Sequence, residues 1–194
     1  NGFVVYCIYC GLTYFIPFLN KIYMLPATAV GMYGIVNQYG LKMIGGPVGG
    51  FMSDKVHKSA AKHIRVGFVV CIVAMAVFLM IPHEALGQKG MWMLGAVCTL
   101  TFGAIVFTMR AVFFAPMDEV KVPREITGAA MSMASLIIYL PNTFAYVMYG
   151  NFLDRFPGMT GFRIVFSVMI GWAVVGVGVS TFLIRRIKKH QKNA

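Results

Sequence analysis

The sequence predicts an all-α membrane protein of six transmembrane helices, and three observations carry that prediction. Hydrophobic residues make up 59% of the 194 positions and charged residues only 12%, with a mean hydropathy of +0.76. Apolar stretches recur along the whole chain, each near the ~20 residues that cross a ~30 Å hydrocarbon layer as a helix. Short clusters of charge, Pro and Gly separate them. A water-soluble domain of this size would need far more charge to cover its surface.

In order, the spans fall at 3–23, 28–52, 64–81, 91–117, 127–152 and 162–184. Pro26 precedes the second, and Ser53-Asp54-Lys55 closes it. Pro82-His83-Glu84 follows the third, Pro123 precedes the fifth, and Pro157-Gly158 follows it. The chain enters an apolar helix almost at once, with no basic leader and no small-residue cleavage site. Residues 1–194 therefore read as one six-helix domain of a longer polypeptide whose other part lies upstream.

The net charge of +11 does not point to nucleic acid, because the basic residues sit in loops and in the tail Arg185-Arg186-Ile187-Lys188-Lys189. The loops after spans two and four and the tail after span six hold eleven Lys and Arg, against four on the opposite face. The positive-inside rule puts the C-terminus in the cytoplasm of a multi-pass cell (inner) membrane protein. Cys7, Cys10, Cys71 and Cys98 all fall in apolar stretches, where thiols serve as small apolar side chains. No cofactor and no metal is expected.

Gly50-Phe51-Met52-Ser53-Asp54-Lys55 ends span two, and Gly150-Asn151-Phe152-Leu153-Asp154-Arg155 ends span five. Both read G-x-x-x-D-[KR], three spans apart, as two inverted three-helix repeats would. Polar residues form stripes on four spans: Tyr6, Cys10, Thr13, Pro17 and Asn20; Gln38, Lys42, Gly45 and Gly49 with Asn37 beside them; Thr99, Gly103 and Arg110; and Gly128, Ser132, Ser135, Tyr139 and Asn142. Spans three and six are almost wholly apolar. Four helices thus face something polar and two face lipid.

In these features the chain resembles the C-terminal half of the major facilitator superfamily. Halves of that family are six-helix bundles of inverted repeats, in which the first, second, fourth and fifth helices line the cavity. The segment Gly50–Lys58 is similar to the family's loop signature G-x-x-x-D-[RK]-x-G-[RK]: Gly50, Asp54, Lys55 and Lys58 match, and His57 stands where the family has Gly. The resemblance implies half of a twelve-helix bundle partnered by its own N-terminal six-helix half. It also implies a gating role for Asp54 across the interface between the halves. The run Val122–Gly128 is similar to poorly characterised bacterial members and assigns no substrate.

Lys42 lies about ten residues, or ~15 Å, from the end of its span, near the bilayer midplane. An ammonium there costs about 2.5–3.5 kcal/mol and needs a partner or a wet cavity. Gln38 is one turn away. Arg110 lies ~10 Å from the end of span four, where it could bind a ligand or pair with Asp118 or Glu119. No Asp or Glu lies within a span. Two cations without local carboxylates favour an anionic organic solute, for which Arg is suited. Lys42, Gln38, Asn37, Arg110, Ser135, Tyr139 and Asn142 are the expected binding residues, and Gly50, Asp54, Lys55 and Lys58 the expected gate. Pro47 and Pro141 interrupt the second and fifth spans.

The function expected is secondary transport by alternating access, with lipid and a small solute as partners. An enzyme is not expected: no H-E-x-x-H, intramembrane Ser-His pair or carboxylate pair is present, and His57, His63, His83 and His190 lie outside the spans. The alternative is a permease or channel subunit of another multi-pass family, although neither an Asn-Pro-Ala pair nor a carbonyl filter motif occurs.

Overall fold

A computed structural model describes residues 1–81 and 87–192. The helices are α1 Gly2–Leu12, α2 Phe15–Lys21, α3 Ala27–Ile35, α4 Leu41–Phe51, α5 Ala60–Met80, α6 Gln88–Ala111, α7 Pro116–Glu119, α8 Arg124–Tyr139, α9 Pro141–Arg155 and α10 Met159–Lys192. No strand occurs among the described residues. Five helical stretches are long and apolar enough to cross a membrane: Gly2–Lys21, Ala60–Met80, Lys89–Ala111, Arg124–Arg155 and Met159–Lys189. The boundary expected at Pro82-His83-Glu84 lies outside the described residues.

The stretch expected at 28–52 is helical, but two π turns, Val36–Gly40 and Met52–Val56, divide it. Its inward residues explain why. Tyr33, Asn37, Gly45, Gly49 and Ser53 are buried, and Leu41 between them packs on the core. That is every fourth position. In an α-helix of 3.6 residues per turn such a row would wind around the cylinder. The wider i→i+5 turns take up the excess and keep the row on one face.

Gly45 and Gly49 sit at the closest point of this row. A Cβ on Gly49 would come within 2.6 Å of the Thr108 carbonyl oxygen, so the two helices approach backbone to backbone. Gln38 and Lys42 therefore do not share the face of Gly45 and Gly49, as a regular α-helical period implied. They flank it by one position.

α5 starts at Ala60 rather than 64 because Ser59 caps it: the Ser59 backbone is extended, and its Oγ accepts from the Lys62 N–H at 3.3 Å. His63, expected outside the span, is thereby buried in the first turn. α6 stops at Ala111 instead of running to 117. Pro116 has no N–H to return to the Val112 carbonyl, and the chain starts the one-turn α7 there.

The core runs along α1 and α2. Phe15, Phe18, Phe78, Phe162 and Phe166 join these helices to α5 and α10 through ring pairs 5.1–5.9 Å apart at steep angles, among them Phe18–Phe162 at 5.1 Å and Phe78–Phe166 at 5.9 Å. α9 is tied to α1 by hydrogen bonds: the Tyr14 hydroxyl donates to the Tyr146 carbonyl at 2.8 Å, and the Tyr149 hydroxyl to the Cys7 carbonyl at 3.1 Å. α8, beyond the break at Pro141, buries only Ile138.

Candidate functional site

Arg110, in the last turn of α6, sits at the centre of the site. Its guanidinium carbon lies 4.1 Å from the centre of the Tyr9 ring and 5.3 Å from that of Tyr6. Tyr6 and Tyr9 are one turn apart on α1 and present both rings to the same cation. A desolvated pair of this kind is worth about 2 kcal/mol. Tyr9 is itself held edge-on by Phe107 at 5.8 Å, from the turn of α6 preceding Arg110.

The aromatic cradle leaves hydrogen-bonding capacity unused, since Nη1 of Arg110 is buried without a partner. Interfacial pairing with Asp118 or Glu119 is not how Arg110 is held. The Glu119 carboxylate instead accepts from Ser59 Oγ at 2.8 Å and from the Ala60 and Ala61 N–H groups at the head of α5.

Arg110 and Lys42 line one cavity of about 220 Å³, together with Gly46, Phe107, Ala111 and Phe113. Gly46 leaves the α4 wall open, with nothing within 4 Å of where its Cβ would be. Two cations from different helices thus meet at a space with no carboxylate in its lining. The arrangement can take an anion, with Arg110 as a fork of donors and Lys42 as a mobile point charge.

Two further expected residues join this cluster. Tyr139, at the end of α8, meets Tyr6 edge-on at 4.9 Å. Asn142, the second residue of α9, donates from Nδ2 to the Tyr6 hydroxyl at 3.4 Å and accepts from the Cys10 thiol at 3.6 Å. Tyr6 is therefore the hub between α1, α6 and the α8–α9 joint.

Three expected residues stand apart from it. Asn37 is fully buried between α6 and the helix from 27 to 56; its Nδ2 donates to the Tyr33 hydroxyl, which donates to Thr99 at 2.7 Å. Gln38 is half-buried on the flank. Ser135 spends its hydroxyl on the Met131 carbonyl of its own helix at 2.8 Å.

The expected gate residues lie at one end of the bundle. Asp54 and Lys58 line a cavity of about 370 Å³ with Ser53, Ser59, Asp118 and Glu119. Lys55 is exposed, and Gly50 faces open space. Lys58 adopts a left-handed backbone, φ +52°. Glycine would take that conformation freely, and here it falls on the residue after His57.

Sequence reasoning missed Tyr9, Phe107 and the Ser59–Glu119 cap. A signal for Tyr9 existed in its spacing of three from Tyr6. Nothing local marked Glu119 as the partner of a residue 60 positions earlier.

Similar proteins carry descriptions of place more than of activity. The chain is 50% identical over 192 residues, 99% of its length, to inner membrane protein YihN of Escherichia coli strain K12, of which it covers 45%. It is 28% identical over 185 residues, 94% of its length, to inner membrane protein YqcE of the same organism, covering 42% of that protein. An uncharacterised protein of Mycoplasma pneumoniae is 30% identical over 108 residues. The chain thus spans less than half the length of the relatives it matches. No family model and no solved structure matches it. Its apolar helices, together with these relatives, make the chain a multi-pass helical protein of the inner membrane.

Proposed function

We propose that the chain is a six-helix half of a secondary active transporter of major facilitator type, moving a small anionic organic solute by alternating access. One observation carries the reading: Lys42 and Arg110, on different helices, line the same carboxylate-free cavity. Lys42 is exposed and Arg110 half-buried in this chain, and cations on the apolar helices of a membrane protein mark a ligand or ion path.

The helical run over 27–56 supplies the sixth crossing in this reading, beside the five longer helices. The paired G-x-x-x-D-[KR] ends support two inverted three-helix repeats. The greater length of the relatives supports a second half. The Lys and Arg asymmetry supports a cytoplasmic C-terminus. Asp54 and Lys58 then face Asp118 and Glu119 on the cytoplasmic side, where a gate would close.

The test uses full-length protein. A thermal-shift screen against carboxylates and phosphorylated solutes selects a ligand, and its uptake is measured in ATP-free proteoliposomes. Lys42→Ala and Arg110→Ala are expected to abolish uptake, while Lys121→Ala, in a loop, leaves it intact. Uptake unchanged in both cavity variants would remove the site. A strict requirement for ATP would favour the permease reading.

A further inference from the structure

A second basic site lies away from the Lys42–Arg110 cavity, where α5 begins and α10 runs out of its apolar stretch. Lys58, Lys62 and Lys188 converge there on a notch of about 130 Å³, roughly four times the volume of a water molecule in the liquid. Ile184 and Ile187 line its other side and pack on Ala61. We propose that this notch binds the phosphate of an anionic phospholipid headgroup.

Charge makes the first argument. Glu119 is the carboxylate in the lining, and its oxygens are already held by Ser59 Oγ and by the Ala60 and Ala61 N–H groups. Its negative charge is spent on the positive end of α5. Among the described residues, none of the three lysines is joined to a carboxylate in an ion pair. Lys62 of α5 and Lys188 of α10 thus share a concavity with no counter-ion of their own, and Lys58 joins them from the loop before α5, between the notch and the cavity of Asp54 and Asp118.

The backbone adds a second argument. Lys58 holds φ +52°, a conformation that costs a residue with a Cβ energy which glycine avoids. Such strain persists where the side chain has work to do. Here it holds Lys58 at the rim shared by the notch and the neighbouring cavity.

The surroundings select a lipid over a free anion. Val66, Val69, Val70, Val73 and Val77 are exposed along α5 at helical spacing, on the side of the helix that carries Lys62. This apolar stripe leads from the notch along α5, as an acyl chain would. A basic pocket between helix ends at the membrane surface is a known arrangement for anionic headgroups. Free phosphate would gain nothing from the stripe.

The experiment is native mass spectrometry of the full-length protein, released from detergent after incubation with equimolar phosphatidylglycerol and phosphatidylcholine. The wild type is expected to retain phosphatidylglycerol preferentially. Lys62→Gln with Lys188→Gln should lower that retention about tenfold, whereas Lys62→Arg with Lys188→Arg should keep it. Removing two charges elsewhere, by Lys121→Gln with Arg124→Gln, should change little. Equal retention of the two lipids by the wild type would overturn the proposal. So would an equal loss in the Lys121 and Arg124 control, which would mean a general surface potential. Full displacement of the lipid by millimolar inorganic phosphate would assign the notch to a free anion instead.

Discussion

Ser59 and Glu119, 60 residues apart in sequence, are joined at the head of α5 by a 2.8 Å hydrogen bond from the Ser59 hydroxyl to the Glu119 carboxylate. Ser59 caps the helix from within, and Glu119 caps it from the end of α7, through the Ala60 and Ala61 N–H groups. Glu119→Ala is expected to destabilise the fold by about 1–2 kcal/mol, because two N–H groups lose an acceptor and the helix dipole loses its counter-charge. Glu119→Gln should cost less. Thermal unfolding of the purified protein in detergent checks the order.

Gly49 and Gly46 give opposite expectations although they lie three residues apart. An added Cβ at Gly49 meets the Thr108 backbone at 2.6 Å, while one at Gly46 meets nothing within 4 Å. Gly49→Ala should destabilise by roughly 1–3 kcal/mol, since backbone cannot move aside as a side chain can. Gly46→Ala should be neutral or slightly stabilising in the same melt.

Tyr9 holds Arg110 through its ring face, with the guanidinium carbon 4.1 Å away. Tyr9→Phe keeps that face and should leave transport of a selected ligand within about twofold of wild type. Tyr9→Leu removes about 1–2 kcal/mol of attraction and should lower uptake roughly five- to thirtyfold. Proteoliposome uptake with matched protein density separates the two. Equal losses would show that the phenol hydroxyl, not the ring, carries the role.

Lys58→Gly should split stability from lipid retention. Relief of the left-handed backbone gains about 1–2 kcal/mol, and the extra freedom of glycine in the unfolded chain returns about 0.5–1 kcal/mol of it. The melting temperature should rise or hold while phosphatidylglycerol retention falls. Melting and native mass spectrometry on the same preparation read both.

Hydropathy and punctuation were enough to read an all-helical membrane chain, in which five of the six expected stretches coincide with helices long and apolar enough to cross, because span length and charge are set by the bilayer. The boundaries that moved were set by contacts. α5 begins early because Ser59 and Glu119 cap it, and α6 ends early at the turn before Pro116. The candidate site was legible as two cations within apolar stretches, Lys42 and Arg110, read from separate helices. Their meeting at one cavity depends on how α4 packs on α6 and could not be read from either stretch alone. Asn37 and Gln38 exchanged prominence for a physical reason. A 3.6-residue period was assumed where the helix, widened by two π turns, repeats every four.

The joint between Tyr139 and Pro141 divides the stretch from Arg124 to Arg155 into two rods of unequal attachment. α9 is fastened to α1 through Tyr14, Tyr149 and Asn142, whereas α8 extends from the joint as an arm of 16 residues, about 24 Å long. A tilt of about 10° at its base sweeps the Arg124 end through roughly 4 Å, by the length of that arm alone. Tyr6 touches both sides of the pivot, meeting Tyr139 with its ring and Asn142 with its hydroxyl. Leverage is thus built in: a rotation at the joint beside Tyr6 and the Arg110 guanidinium is magnified with distance along α8 and is largest at its far tip.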